Sequence, residues 1–281
     1  VNGSPDRRDE APDASRSDGS LLEAVREIAE AAGREIMIVY ESDFAVERKA
    51  DTSPITEADV VANRLIAERL AALEPTLPVL TEETRAPAWR ERREWRRYWL
   101  VDPLDGTREF VKRNGEFSVN IALIDAGEPV LGVVLAPAIG REYAAVRGLG
   151  AWRYVDGRAE SIRVRAPRWP PTLALSRSHS GAREMQLCET FDSPEIVRCG
   201  SSLKTCLIAE GKADLYPRLG PTSEWDTAAS QCVLEAAGGQ LTDLKGRPLR
   251  YNSRDSLINP MFVAHNGMTL DFDRLHRIAR L

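Results

Sequence analysis

The chain has 281 residues, of which 43% are hydrophobic and 29% charged, with a formal net charge of −5. It is long enough to bury one large core or two smaller ones, and no apolar run approaches the roughly 18 residues of a membrane span. The acidic balance argues against a protein that holds long nucleic acid, which requires a broad basic surface.

Residues 1–19, VNGSPDRRDEAPDASRSDG, are polar and read as a flexible tail. From Ser20 the apolar residues Leu21, Val25, Ile28, Ala32, Ile36 and Val39 recur at helical spacing. A second helix follows SPITEAD, with Val61, Leu65, Ile66, Leu70 and Leu73 on its apolar face, and ends at the two prolines of EPTLP. PVLTEE then reads as a short strand, RAPAWRERREWRR as an exposed basic loop or helix, and YWLVD as another strand. FSVNIALID and EPVLGVVLAP form a hairpin about Ala126-Gly127, and REYAAVRGLGAWRYV and ESIRVRA extend the sheet. Residues 20–168 therefore predict an α+β half with two long helices on a mostly antiparallel sheet.

After the break APRWPPT, strands and helices alternate. LALSRSH, EIVRC, ADLYPR and QLTD read as strands, and the segments near ARE, SLKTCLIAEG and DTAASQCVLEAAGG as helices. Residues 169–281 thus predict an α/β half. The four cysteines, Cys188, Cys199, Cys206 and Cys232, have no paired spacing and read as reduced thiols.

The chemistry centres on WLVDPLDGTREF. A strand delivers Asp102 at its C-terminal end, Pro103 turns the chain, Asp105 follows three residues on, and Gly106 permits close backbone approach. Two carboxylates and the Leu104 carbonyl can then converge on a hard cation such as Mg²⁺, which prefers oxygen donors. Glu82 closes PVLTE, and Asp226 opens the helix DTAASQCVLEAAGG. Each has a bland alternative: Glu82 as a solvated strand end, Asp226 as a helix cap, and Asp59 as the partner of Thr56 in a capping box. The run WRERREWRR, with its interleaved glutamates, reads as a solvated face rather than a nucleic-acid patch. GLGAW lacks the glycines of a dinucleotide fingerprint.

DPLDGT, with EE upstream and WD downstream, resembles the inositol monophosphatase superfamily of Mg²⁺-dependent, lithium-sensitive phosphatases, over nearly the whole chain from about residue 20. SPITEAD, WLVDPLDGTREFVKRNGEFSVNIALI, GSSLKTCLIAEGKADLYPRLGPTSEWDTAA and INP look most like the branch of 3′(2′),5′-bisphosphate nucleotidases of the CysQ type. The resemblance implies a layered αβαβα sandwich and hydrolysis of adenosine 3′,5′-bisphosphate to AMP and phosphate, in sulfur metabolism. It implies two or three Mg²⁺ ions. Glu82, Asp102 and the Leu104 carbonyl would hold one, and Asp102, Asp105 and Asp226 a second. Asp59 and Thr107 would serve the attacking water, with Glu82 also catalytic, and the Gly106-Thr107 amides would cradle phosphate.

For the nucleotide, the resemblance implicates Ser201 and Lys204, expected in the first turn of a helix, together with Arg218, His179, and Lys49 and Asp51 of the loop KADTSP. For His179 a hydrogen-bonded structural role is an equal alternative, and for the loop residues so is simple solvation. A cytoplasmic monomer or homodimer is implied, with or without contact with the inner membrane. Inositol monophosphatase or fructose 1,6-bisphosphatase activity stays open at this point, as do a catalytically silent nucleotide-binding regulator and an RNA-end-processing enzyme.

Overall fold

The computed structural model describes residues 14–48, 54–178 and 181–279. Helix α1 (Ala14–Glu41) starts within the stretch read as tail, where too few apolar residues mark the helical period. A two-residue ribbon, β1 (Glu47–Arg48) with β2 (Pro54–Ile55), precedes α2 (Glu57–Leu73). Strand β3 (Val79–Thr81), a single turn α3 (Trp89–Arg92), β4 (Arg97–Asp105) and a short helix α4 (Thr107–Val111) follow. Strands β5 (Ser118–Asp125), β6 (Glu128–Ala136), β7 (Arg141–Val146), β8 (Gly150–Val155) and β9 (Arg158–Ser161) complete a seven-stranded sheet in simple sequence order. Only β3 and β4 pair in parallel in that sheet; the others are antiparallel. The β5–β6 connection is the predicted two-residue turn, with left-handed Ala126 (φ 50°) and Gly127 (φ 78°).

The second sheet is mixed. It contains β10 (Thr172–Ser176), β11 (Glu195–Cys199), β12 (Leu215–Arg218), β13 (Gln240–Asp243) and β14 (Phe262–His265) in the order β11-β10-β12-β14-β13. Its helices are α5 (Ala182–Cys188), α6 (Leu203–Ala209), α7 (Ala228–Ala236) and α8 (Phe272–Ala279). Strand β14 and helix α8 carry no reading in the sequence analysis. The stretch ESIRVRA contributes only its first two residues to β9.

Strand alternation builds the layers. On β4, Trp99 and Val101 face α1 and α2 in one buried cluster, whereas Tyr98 and Leu100 face α6 and α7 in another. The second sheet shares that inner cluster through Ala174, Tyr216 and Phe262, while Leu173, Leu175 and Val263 point the other way, to α5 and α8. The result is five layers: α1/α2, large sheet, α6/α7, small sheet, α5/α8. This is the αβαβα sandwich that was expected. Gly132 on β6 marks how tightly the central layer seats, since a Cβ there would lie 2.4 Å from the Ala229 carbonyl oxygen of α7. No described helix is long and apolar enough to cross a membrane.

Candidate active site

Sheet register decides which acids meet. Val79, Leu80 and Thr81 lie beside Trp99, Leu100 and Val101, and the Glu82 amide continues the ladder to the Val101 carbonyl at 3.2 Å. Glu82 therefore stands abreast of Asp102. Asp102 shares the parity of Tyr98 and Leu100, so it emerges on the side of the α6/α7 layer, from which Asp226 approaches. Ligand oxygens of Glu82, Asp102 and Asp226 lie within 4.8 Å of one another.

Two local details differ from expectation. Strand β4 does not end at Asp102: it runs through Pro103 to Asp105, and its register against β5 shifts between Asp102 and Asp105. A register irregularity, not a strand end, aims the two aspartates, since a proline without an N–H cannot continue the ladder. Nor does Asp226 open α7. It closes a 3₁₀ turn, Glu224–Asp226, where its Oδ2 accepts the Ser223 N–H at 2.9 Å, and α7 begins at Ala228 behind Thr227.

Asp102 is 1% exposed. Burial, reinforced by the charges of Glu82, Asp105 and Asp226, pushes its carboxyl well above the ordinary range, against one N–H donated by Leu104 at 3.1 Å. Burial also raises Asp226 well above its usual value, helped by Asp105 and Glu82 and opposed by the Ser223 amide and Arg218. Asp105 is raised by burial too, although Lys204, Ser202 and Asn120 work the other way. Its Oδ2 accepts from Ser202 Oγ at 2.7 Å and Asn120 Nδ2 at 3.4 Å. Converging carboxylates, buried at Asp102 and half-buried at Glu82 and Asp226, with Asp102 and Asp226 both raised, form a candidate cation site, and an all-oxygen donor set with no imidazole or thiolate suits Mg²⁺.

Beside this cluster, Asp59 is nearly fully buried. Its Oδ2 accepts from the Thr56 amide at 2.7 Å and the Thr56 hydroxyl at 2.8 Å, the expected capping box, while Oδ1 accepts from Thr107 Oγ1 at 3.3 Å. One oxygen of Asp59 thus serves the helix cap, and the other takes the Thr107 hydroxyl. Thr107 follows Gly106, whose φ of +93° requires the left-handed region that glycine tolerates.

A cavity of about 550 Å³ unites Glu82, Asp102, Leu104, Asp105, Gly106, Thr107, Ser201, Lys204, Arg218 and Asp226. Ser201 is not in the first helical turn as expected: it sits at φ +43° ahead of α6, which Ser202 precedes as cap. Ser201 Oγ is buried without a hydrogen-bond partner. Lys204 is buried, donates to the Ser201 carbonyl, and lies with its Nζ 5.1 Å from the centre of the Tyr216 ring. Arg218 ends β12 and donates to the Pro221 carbonyl at 2.8 Å. His179, Lys49 and Asp51 lie outside the described residues.

Sequence reading missed Ser202, whose one hydroxyl proton lies between Asp105 Oδ2 at 2.7 Å and the Asp226 carbonyl at 2.6 Å, so that its Oγ links the two acids. It missed Glu109 as well, 2% exposed at the cavity wall. The second serine of GSS was the available signal for the first. For Glu109, sitting between an arginine and a phenylalanine, local sequence offers none.

Residues 18–274 match the sequence model of the Inositol monophosphatase family. The chain is 49% identical over 244 residues to the 3′(2′),5′-bisphosphate nucleotidase CysQ of Escherichia coli K12, covering 86% of this chain and 98% of that one. Against the nucleotidase of the same name from Salmonella typhimurium it is 50% identical with the same coverage. Among solved structures it is similar to CysQ from Bacteroides thetaiotaomicron, a bacterial member of the inositol monophosphatase family. The TM-score is 0.76 and the identity 38%, over 89% of this chain and 98% of that one.

Proposed function

The chain belongs to the inositol monophosphatase family, and from that premise we propose that it is a Mg²⁺-dependent 3′(2′),5′-bisphosphate nucleotidase that converts adenosine 3′,5′-bisphosphate to AMP and phosphate. The observation that carries this reading is the presence, within one cavity, of three converging carboxylates, Glu82, Asp102 and Asp226, and two cationic side chains, Lys204 and Arg218. A monophosphate substrate needs the acids and their metal; the second phosphate gives the cations a purpose. The similarity to curated nucleotidases over 86% of the chain supports the same substrate class.

Glu82, Asp102 and the Leu104 carbonyl would hold one ion, and Asp102, Asp105 and Asp226 another. When bound, such ions lower the pKa of a water and neutralise the charge of the phosphoryl group in flight. The protein's own part is positioning. Thr107 lines the cavity and its Oγ1 donates to Asp59 Oδ1, which leaves the hydroxyl's lone pairs to take a hydrogen bond from the attacking water, with Asp59 as final proton acceptor. Phosphorus is attacked in line, the P–O bond to the 3′-oxygen breaks, and that oxygen takes a proton from solvent water to become the 3′-hydroxyl of AMP. Lys204, Arg218 and the Ser201 hydroxyl bind the 5′-phosphate that is not cleaved, by charge-assisted hydrogen bonds. We place the reaction in the cytoplasm, removing a by-product of sulfate activation and sulfonate transfer.

Phosphorus NMR of the products tests the assignment of the two phosphate positions. The expected products are inorganic phosphate and adenosine 5′-phosphate. Appearance of adenosine 3′-phosphate would reverse the roles of the acidic and basic ends of the cavity.

A further inference from the structure

Of the five arginines in WRERREWRR, Arg92 alone is buried, at 2% exposure, while Arg90, Arg93, Arg96 and Arg97 face solvent. A guanidinium taken from water must be repaid in hydrogen bonds. Its Nη1 donates to Asn252 Oδ1 at 2.6 Å and to the Arg254 carbonyl at 3.2 Å, and its Nη2 donates to the Asp255 carbonyl. Asn252 Nδ2 returns a bond to the Arg92 carbonyl. Among the described residues the carboxylate within ion-pair distance, Asp255, is 3.4 Å away with a side chain 83% exposed, so backbone carbonyls and an amide are the main recipients.

That grip has a direction. Asn252 sits at φ +48°, and its own N–H donates at 2.8 Å to Glu224 Oε2, a fully buried carboxylate. Glu224 lies between Ser223, whose N–H fixes Asp226 Oδ2, and Trp225, next to Asp226 itself. The far end of the same loop closes on the same turn: the Glu224 amide donates to the Leu257 carbonyl at 2.8 Å, and Asn259 Nδ2 donates to the Ser223 carbonyl at 2.7 Å. Arg92 in turn belongs to the connection between β3 and β4, the strands that set Glu82 and Asp102 abreast.

We propose that Arg92 is a positioning residue for the metal site. It clamps the 252–255 loop so that Asn252 and Glu224 hold the turn carrying Asp226 in reach of Glu82 and Asp102. The inference rests on reading those acids as metal ligands. Partners of this outer kind are worth about 10–100-fold in metal affinity or activity.

The test compares the full-length wild type with Arg92→Met, Asn252→Gly and the exposed control Arg93→Met. Mg²⁺ affinity is read from Mg²⁺-dependent thermal stabilisation, and separately from phosphate release as Mg²⁺ is raised. Asn252→Gly cuts the clasp while keeping the left-handed backbone and the N–H to Glu224, so it carries the test if Arg92→Met does not fold. The expected result is a 10–100-fold weaker Mg²⁺ affinity in both clasp variants, kcat largely recovered at saturating Mg²⁺, and no change for Arg93→Met. Lower thermal stability with wild-type Mg²⁺ affinity would make Arg92 merely structural and overturn the proposal. Wild-type protein that binds no Mg²⁺ would instead overturn the reading of the site on which it rests.

Discussion

Asp102→Asn is expected to stabilise the metal-free protein while disabling it. Asp102 is buried, and its ligand oxygens lie within 4.8 Å of those of Glu82 and Asp226. At that separation and an effective dielectric of about 20, each pair of full charges repels by roughly 3 kcal/mol. Proton uptake relieves part of this, so about 1–3 kcal/mol of gain is expected on removing the charge. The sign follows from linkage: burial and neighbouring acids raise the Asp102 carboxyl in the fold, so its favourable contribution exists at low pH and is lost as pH rises toward the folded value. Asn does not titrate, and its Oδ1 still accepts the Leu104 N–H. In chelator at neutral pH the variant is expected to melt a few degrees above wild type. Added Mg²⁺ should stabilise the wild type and hardly affect the variant, whose turnover at saturating Mg²⁺ should fall by about 10²–10³-fold, as when one transition-state charge stabiliser is lost. Scanning fluorimetry with and without Mg²⁺, beside phosphate release, reads all three quantities. Wild-type turnover, or a variant less stable than wild type in chelator, would refute the reasoning.

Lys204→Met should lower kcat/KM for adenosine 3′,5′-bisphosphate about 10–100-fold, the worth of one charge-assisted hydrogen bond, and change adenosine 3′-phosphate hydrolysis far less; equal losses on both substrates would remove Lys204 from the 5′-phosphate. Gly132→Ala drives a Cβ against the α7 backbone and should cost about 1–3 kcal/mol of overpacking, seen as a lower urea midpoint; an unchanged midpoint would show that the central layer gives way. His265 is buried on β14, its Nδ1 accepting the Gly267 N–H at 3.2 Å, and burial holds its pKa below the ordinary 6.5. The unfolded chain therefore takes up the proton first, and wild-type stability should fall as pH drops below 6.5. His265→Leu should flatten that slope, and an identical slope would assign it to other groups.

Asp102 and Asp105 were legible as candidate oxygen donors because DPLDGT sets two carboxylates about a turn, whereas Glu82 and Asp226 each had a bland alternative and stood out through the resemblance of EE and WD to the family pattern. The unbroken apolar run Tyr98, Trp99, Leu100 and Val101 likewise read as a strand, and all four side chains are buried. Other features depend on long-range pairing that no window of sequence contains. Pro103 looked like a strand terminator, yet pairing of Asp105 with Ser118 carries β4 past it. Asp226 looked like a helix cap, yet a Ser223 capping box holds it one turn earlier. Arg92 shares its local sequence with four solvated arginines, and only the loop 160 residues away distinguishes it. Strand β14, four residues long between β12 and β13, is short enough that its sheet position rests on its neighbours rather than on its own pattern.

Phosphate release from adenosine 3′,5′-bisphosphate, inositol 1-phosphate and fructose 1,6-bisphosphate, each with Mg²⁺ and with or without millimolar lithium, tests the central claim most directly. The account predicts a strong preference for the nucleotide, absent without Mg²⁺ and suppressed by lithium. Preference for inositol or sugar phosphate would contradict the assignment of Ser201, Lys204 and Arg218, and no turnover of any of the three would contradict the reading of the acidic cluster as a catalytic metal site.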